Sequence, residues 1–299
     1  MSTNPAGFTV CVLLYGDHLE LARRCLESIL TRADWRYVYE LRLGLNAVSA
    51  RVKDYVLNRV PHDRTWVYEP AEGYNACKYP LMRRMFHDPD RPVMTPYLMW
   101  FDDDSYIDWP DSDWWSRPYQ AMQEADMIGS IYTIPAQGDQ PKAVAAQPWY
   151  RNKPLERGRD GKSRFRFATG GWWVVRTRIV QKWDWPWPEL KHRGGDHTFG
   201  ELIRQQSYTL KDFKEGVRIN ADKQGRESKA PKRGHDERPL WHNWRSDQSP
   251  STGHQNFALN VFRPQSGILR QQIERSASDE AELEPSSGEQ RIVRIPGLA

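Results

Sequence analysis

The stretch YLMWFDDDSYIDW, residues 97–109, runs five aromatic and aliphatic residues straight into three aspartates. A short apolar run closed by turn residues reads as a buried strand. Asp102, Asp103 and Asp104 repel one another. The strand therefore carries them either to something positive or out to open water.

The segments upstream say what kind of sheet this strand joins. FTVCVLLYG, residues 8–16, is a continuous apolar run closed by glycine, the pattern of a strand buried on both faces. A helix follows, with Asp17 as its expected cap and Leu19, Ala22, Leu26, Ile29 and Leu30 on one face. YVYELRLGL (37–45) and TWVYE (65–69) read as strands, Ser49 opens a helix between them, and about Pro80 to His87 reads as another helix. Strands alternating with helices predict an α/β fold with a mostly parallel sheet, whose ligands bind at the carboxyl ends of the strands. The aspartates stand at such an end.

Downstream, residues 112–125 read as helix, DMIGSIYTI (126–134) as strand, FRFATGGWWVVRTRIV (165–180) as strand, and DHTFGELIRQQ (196–206) as helix. The stretches 135–166 and 211–245 are polar and basic. From about Ser246 the chain weakens towards the acidic, low-complexity SASDEAELEPSSGEQ, which predicts a loosely attached, partly disordered extension over 246–299. The main domain is expected over 1–245.

Composition sets the outer bounds. The 299 residues carry a net charge of +4, and 38% of them are hydrophobic, enough for a globular core and too many for a disordered chain. Cys11, Cys25 and Cys77 lie within apolar runs and read as core residues, which points to a reducing compartment. No apolar run approaches the ~20 residues of a membrane span, so a cytoplasmic location is expected, host cytoplasm if the protein is viral. Several of the fourteen tryptophans, among them Trp35, Trp109, Trp241 and Trp244, stand in polar contexts where an indole can stack on a flat ligand.

A strand ending in Asp-x-Asp has a physical use. Mg²⁺ and Mn²⁺ prefer carboxylate oxygens and keep positions for water and phosphate. A diphosphate held on such a cation leaves more easily, because the metal neutralises the charge that builds on it. The competing reading is an acidic surface turn.

The order of parts resembles the GT-A glycosyltransferases, especially their large family 2. FTVCVLLYGDHLELARRCLESIL resembles the first strand and helix of that group, MWFDDDS its metal-binding DxD segment, TGGWWVVRTRIV its acceptor-side segment, and GGDHTFGELIRQQ its later acidic motif. The resemblance implies a GT-A, Rossmann-like fold, with a nucleotide-sugar half over about 8–110 and an acceptor half over 111–245. It implies a metal-dependent hexosyl transfer from a nucleotide sugar, a UDP-sugar first among them, to an acceptor hydroxyl. By the same resemblance Asp102 contacts the ribose or the metal, Asp104 binds the metal, and Asp103 is a donor-side neighbour that reads equally as a solvent-facing residue. Asp196 is the expected general base, against a competing reading as a helix cap. A histidine ligand is expected at His242, with His235 as the other candidate. Lys78 and Arg83 are expected on the diphosphate. Gly170, Gly171 and Trp172 are expected on the acceptor wall. Two departures stand out: Asn46 takes the place of the base-reading aspartate, and Gly195 precedes Asp196 where the group has glutamate.

The acceptor is read from charge. Residues 151–166, RNKPLERGRDGKSRFR, hold seven basic residues against two acidic ones, and KQGRESKAPKRGHDER (223–238) is also basic. Basic loops with aromatics nearby suit a polyanion, so Arg157, Arg159 and Arg164 are expected to bind the acceptor. Nucleic acid fits this surface, in the form of a hydroxymethylated pyrimidine that would be flipped out of a duplex. A surface polysaccharide or other glycan is the alternative acceptor. A nucleotidyltransferase and a noncatalytic carbohydrate- or nucleic-acid-binding module are the alternatives from other classes.

Overall fold

A computed structural model of the chain describes residues 7–70, 75–188, 190, 194–219 and 259–264. In order the elements are β1 (Phe8–Tyr15), α1 (Leu19–Leu30), β2 (Val38–Asn46), α2 (Ala50–Arg59), β3 (Thr65–Pro70), α3 (Lys78–Phe86), β4 (Tyr97–Asp102) and β5 (Tyr106–Ile107). After a 3-10 turn at Ser112–Trp115 come α4 (Ser116–Ala121), β6 (Met127–Pro135), α5 (Gln140–Ala145), β7 (Glu156–Arg157), β8 (Ser163–Arg176) and α6 (Thr177–Lys182). The remainder are α7 (Gly195–Gln205), β9 (Leu210–Asp212), β10 (Val217–Arg218) and β11 (Leu259–Phe262).

Among the described residues one nine-stranded sheet runs β11-β3-β2-β1-β4-β8-β6-β9, with β7 on β8. Strands β3, β2, β1 and β4 are parallel neighbours, while β8 lies antiparallel to β4 and to β6. The expected α/β architecture with a mostly parallel centre is what the chain forms. Strand β1 shows why its sequence is an unbroken apolar run. Phe8, Val10, Val12 and Leu14 pack into the layer of α1 and α2, and Cys11 and Leu13 into the layer of α3 and α7. With both faces covered, neither set of alternating side chains is left to water.

The register of β8 gives the sheet an overhang on the side where the aspartates emerge. It pairs with β4 only from Phe101↔Trp172 to Tyr97↔Arg176. Beyond that it continues with β6 alone, from Ile131↔Ala168 to Pro135↔Arg164, and then with β7. A two-to-three-stranded ribbon thus runs on past the carboxyl end of β4. From Gly170 to Arg164 it covers roughly 20 Å at strand rise.

Three expectations need correction. Asp17 does not cap α1; it accepts hydrogen bonds from Ser49 and Arg51, and the guanidinium is the stronger partner. The strand expected over 165–180 stops at Arg176, because its partner β4 starts at Tyr97 and offers no ladder beyond; α6 follows. The helix expected over 112–125 is a 3-10 turn followed by the short α4, anchored by Trp114 and Trp115, whose indole N–H groups donate to the carbonyls of Glu215 and Arg32. Within the segment expected as an extension, Leu259–Phe262 form β11, which pairs antiparallel with β3 at that edge of the sheet. No described helix is long and apolar enough to cross a membrane.

Candidate active site

Strands β1, β2 and β4 end along one edge, with Tyr15 beside Asn46 and Leu13 beside Asp102. The three aspartates leave β4 here and take three different environments. Asp102 accepts from the Trp100 indole N–H at 3.0 Å on Oδ1 and from the Lys78 ammonium at 2.9 Å on Oδ2. Asp103 is buried and accepts the backbone N–H of Tyr15, tying the end of β4 to the end of β1. Asp104 is 1% exposed. Cys25 feels their charge: its own burial first, then Asp103, Asp104 and Asp102, hold its thiol well above the ordinary value.

The something positive is Lys78. It opens α3, and its ammonium also donates to the carbonyl of Gly170 at 2.8 Å. Burial works against its charge, but Asp102, Asp196 and Asp104 outweigh that, and its pKa stands above the usual lysine value. The next residue, Tyr79, gives its hydroxyl to Asp196 Oδ1 at 2.8 Å. Burial and the neighbouring Asp196 carboxylate push the phenol well above its ordinary range, so it remains a donor. Two consecutive residues in one helical turn therefore join the carboxylate of β4 to the carboxylate of α7.

Asp196 is not a helix cap. The N-cap of α7 is Gly194, in the left-handed region at φ 84°, and Asp196 stands in the first turn with its side chain turned to Tyr79. Two glycines make this approach possible. A Cβ on Gly170 would stand 2.4 Å from Asp196 Oδ2, and one on Gly195 would stand 2.2 Å from the Tyr79 ring. The glycine at 195 is thus what admits Tyr79.

Other expected residues are placed elsewhere. Arg83 is spent on the 184–186 segment: it pairs with Asp184 and donates to the carbonyls of Asp184 and Pro186, because these lie against its side of α3. Trp172 is 0% exposed and packs in the α1–α2 layer against Phe101, Trp114 and Phe213, so it is core and not acceptor wall. Asn46 is 3% exposed, and its amide is occupied. Oδ1 accepts the N–H of Ala76 and Nδ2 donates to Asn75, which fixes the turn leading into Lys78. His235 and His242 lie outside the described residues, as do Trp241 and Trp244. Gly171 lies within β8 beside Gly170.

Arg157, Arg159 and Arg164 come together on the ribbon beyond β4, around an open pocket of about 470 Å³ shared with Thr133, Glu156 and Asp160. Arg164 is ion-paired with Asp160 at 2.9 Å; Arg157 and Arg159 are exposed. The preceding chain is fastened to α7. Gln205 accepts the N–H groups of Arg151 and Lys153 and donates to the Lys153 carbonyl. Tyr132, 51% exposed, stands on β6 opposite Phe167.

No family model matches the sequence, and no curated protein matches it. Solved structures do. GalNAc-T7 with UDP, GalNAc and Mn²⁺ superposes at TM-score 0.50 and 12% identity over 80% of this chain and 47% of that one. S. aureus TarS, residues 1–349, superposes at 0.43 and 14% over 70% and 58%, and its complex with UDP-GlcNAc at 0.40 and 11% over 72% and 60%. The fold is GT-A. The chain spans about half the length of the structures it matches.

Within the GT-A frame, the chemistry of the donor set can be tested against a divalent cation. Among the described residues no three His, Cys, Asp or Glu side chains form a metal-holding group. A cation of the Mg²⁺ type takes one or two carboxylates and completes its shell with substrate phosphate and water. Asp102 and Asp104 are the hard oxygen donors that would hold it.

Proposed function

We propose that the chain is a glycosyltransferase that moves a sugar from a nucleotide-sugar donor, a UDP-sugar in this reading, to an acceptor hydroxyl. The observation that carries the proposal is the linkage Asp102–Lys78–Gly170, with Tyr79 joining Asp196 from the next position. It supplies a cationic centre at the carboxyl ends of the strands, where a diphosphate would sit, and a carboxylate joined through the next residue, Tyr79, to take a proton. Asp196 accepts the acceptor's proton as that oxygen bonds to the anomeric carbon. The bond from that carbon to the phosphate oxygen breaks, and the diphosphate leaves with the electron pair. Lys78 faces the charge that develops. Asp102 and Asp104 would hold a divalent cation, which would neutralise the charge building on the same leaving group.

For the acceptor we read a polyanion, with a hydroxymethylated pyrimidine in DNA as its reactive unit. What supports this is the basic ribbon carrying Arg157, Arg159 and Arg164, extending past the edge where Asp102 stands. A glycan acceptor is the second reading, favoured by the exposed Tyr132 ring on the same ribbon, which offers a flat face to a sugar. The test is a panel of nucleotide sugars, each with hydroxymethylated DNA and with simple glycans, read by mass spectrometry. A mass increase of one sugar on DNA, lost in Asp196→Asn, is the expected result. Transfer only to glycans replaces the acceptor. Neither transfer nor release of free sugar from any donor overturns the enzyme reading.

A further inference from the structure

The Lys78 ammonium and a divalent cation draw on the charge of one carboxylate, Asp102. A hard cation binds a carboxylate oxygen at about 2.0–2.6 Å. Asp102 Oδ2 accepts from the Lys78 ammonium at 2.9 Å, which sets a positive charge against the oxygen a cation would bind, and Oδ1 accepts the Trp100 indole at 3.0 Å. Of the two donors, Trp100 cannot yield: it is fully buried, with Phe86 edge-on and Trp173 stacked beside it. Lys78 can, because its charge rides on a flexible four-carbon stem. An ammonium displaced from Asp102 loses its ion pair; Asp196 and Asp104 still act on it, the Gly170 carbonyl carries no charge, and a diphosphate supplies a new bonded counter-charge.

We propose that Lys78 competes with the divalent cation for Asp102, and that the donor's diphosphate decides the competition by drawing the ammonium away from the carboxylate. This rests on the glycosyltransferase reading above and adds an order to it. The cation binds poorly alone and well with the nucleotide, and by linkage each strengthens the other equally. Lys78 is then both a brake on premature metal loading and a ligand of the donor.

The test uses the full chain and Mn²⁺ itself, followed by the electron paramagnetic resonance signal of the free ion. Without nucleotide, Lys78→Met should bind Mn²⁺ at least tenfold more tightly than the wild type. Lys78→Arg, which keeps the charge, should bind as weakly as the wild type. Lys78→Gln gives the same comparison if the methionine variant does not fold. In the wild type, Mn²⁺ should tighten UDP binding at least tenfold, measured by calorimetry with the Mn²⁺–UDP equilibrium in solution subtracted. Equal Mn²⁺ affinity in wild type and Lys78→Met overturns the competition. If Mn²⁺ still promotes UDP binding in that case, the glycosyltransferase reading stands without it. If neither protein binds Mn²⁺ and UDP binding ignores the ion, the metal reading falls together with the inference.

Discussion

Replacing Gly170 by alanine tests the geometry of the site more sharply than removing a carboxylate does. The new methyl would stand 2.4 Å from Asp196 Oδ2, 2.8 Å from its Cγ and 2.9 Å from Oδ1, whereas ordinary contact begins at 3.4 Å. Asp196 must therefore retreat by about 1 Å, a displacement of the size that costs about 10²-fold in rate when a reacting group is moved. The Gly170 carbonyl need not move, so Lys78 keeps its bond and donor binding should survive. Overpacking of this kind costs about 1–3 kcal/mol of stability, a fall in Tm of several degrees. The assay is kcat and KM for transfer in wild type, Gly170→Ala, Asp196→Asn and the double variant. Gly170→Ala should lose kcat about 10²-fold with KM for donor little changed. The double variant should be no worse than Asp196→Asn, because both changes act on one group. A Gly170→Ala enzyme within threefold of wild type, or a double variant in which the two losses multiply, would refute Asp196 as the base held over Gly170.

Three more outcomes are expected from named contacts. Tyr79→Phe removes one hydrogen bond to Asp196 and no packing; kcat should fall about tenfold with donor KM unchanged, and an equal rise in KM would make Tyr79 a donor ligand instead. Exchanging Arg157, Arg159 and Arg164 for alanine should flatten the slope of log affinity for DNA against log salt by about two units, since Arg164 is already paired with Asp160; an unchanged slope removes the ribbon from the DNA surface. His197 is packed between Phe165 and Phe167, and burial lowers its pKa from 6.5 to about 4. The folded state thus prefers neutral histidine: its contribution is whole above pH 6.5 and is lost as pH falls towards 4, about 2 kcal/mol by pH 5. Denaturant unfolding between pH 7 and 4 should show this slope, and His197→Gln should lack it; equal slopes would put the titration elsewhere.

How far the sequence reaches differs between fold and site, and the reason is range. Strand β1 is legible because burial on both faces leaves an apolar residue at every position from Phe8 to Leu14 but Thr9. The edge strand β11 leaves four residues with no alternation to read, and only its pairing with β3 makes it a strand. Asp102, Asp103 and Asp104 announce a charged strand end, but nothing in their spacing says that one meets an ammonium and the next a backbone N–H. Those partners, Lys78 and Tyr15, lie 24 and 88 positions away. Tyr79 was hidden for the same reason: its partner Asp196 is 117 positions on, and the signal that could have found it was the glycine at 195. Where a family of similar outline has a carboxylate, a glycine reads as a loss. In three dimensions it is the space a phenol needs to reach the carboxylate that remains. Arg83 and Trp172 misled in the opposite direction. Each is of the type a ligand site uses, and each is held by nearer needs, the one by the carbonyls of Asp184 and Pro186 and the other by an aromatic core. Residue type proposes a role, and the competition among neighbours for that residue's atoms decides it.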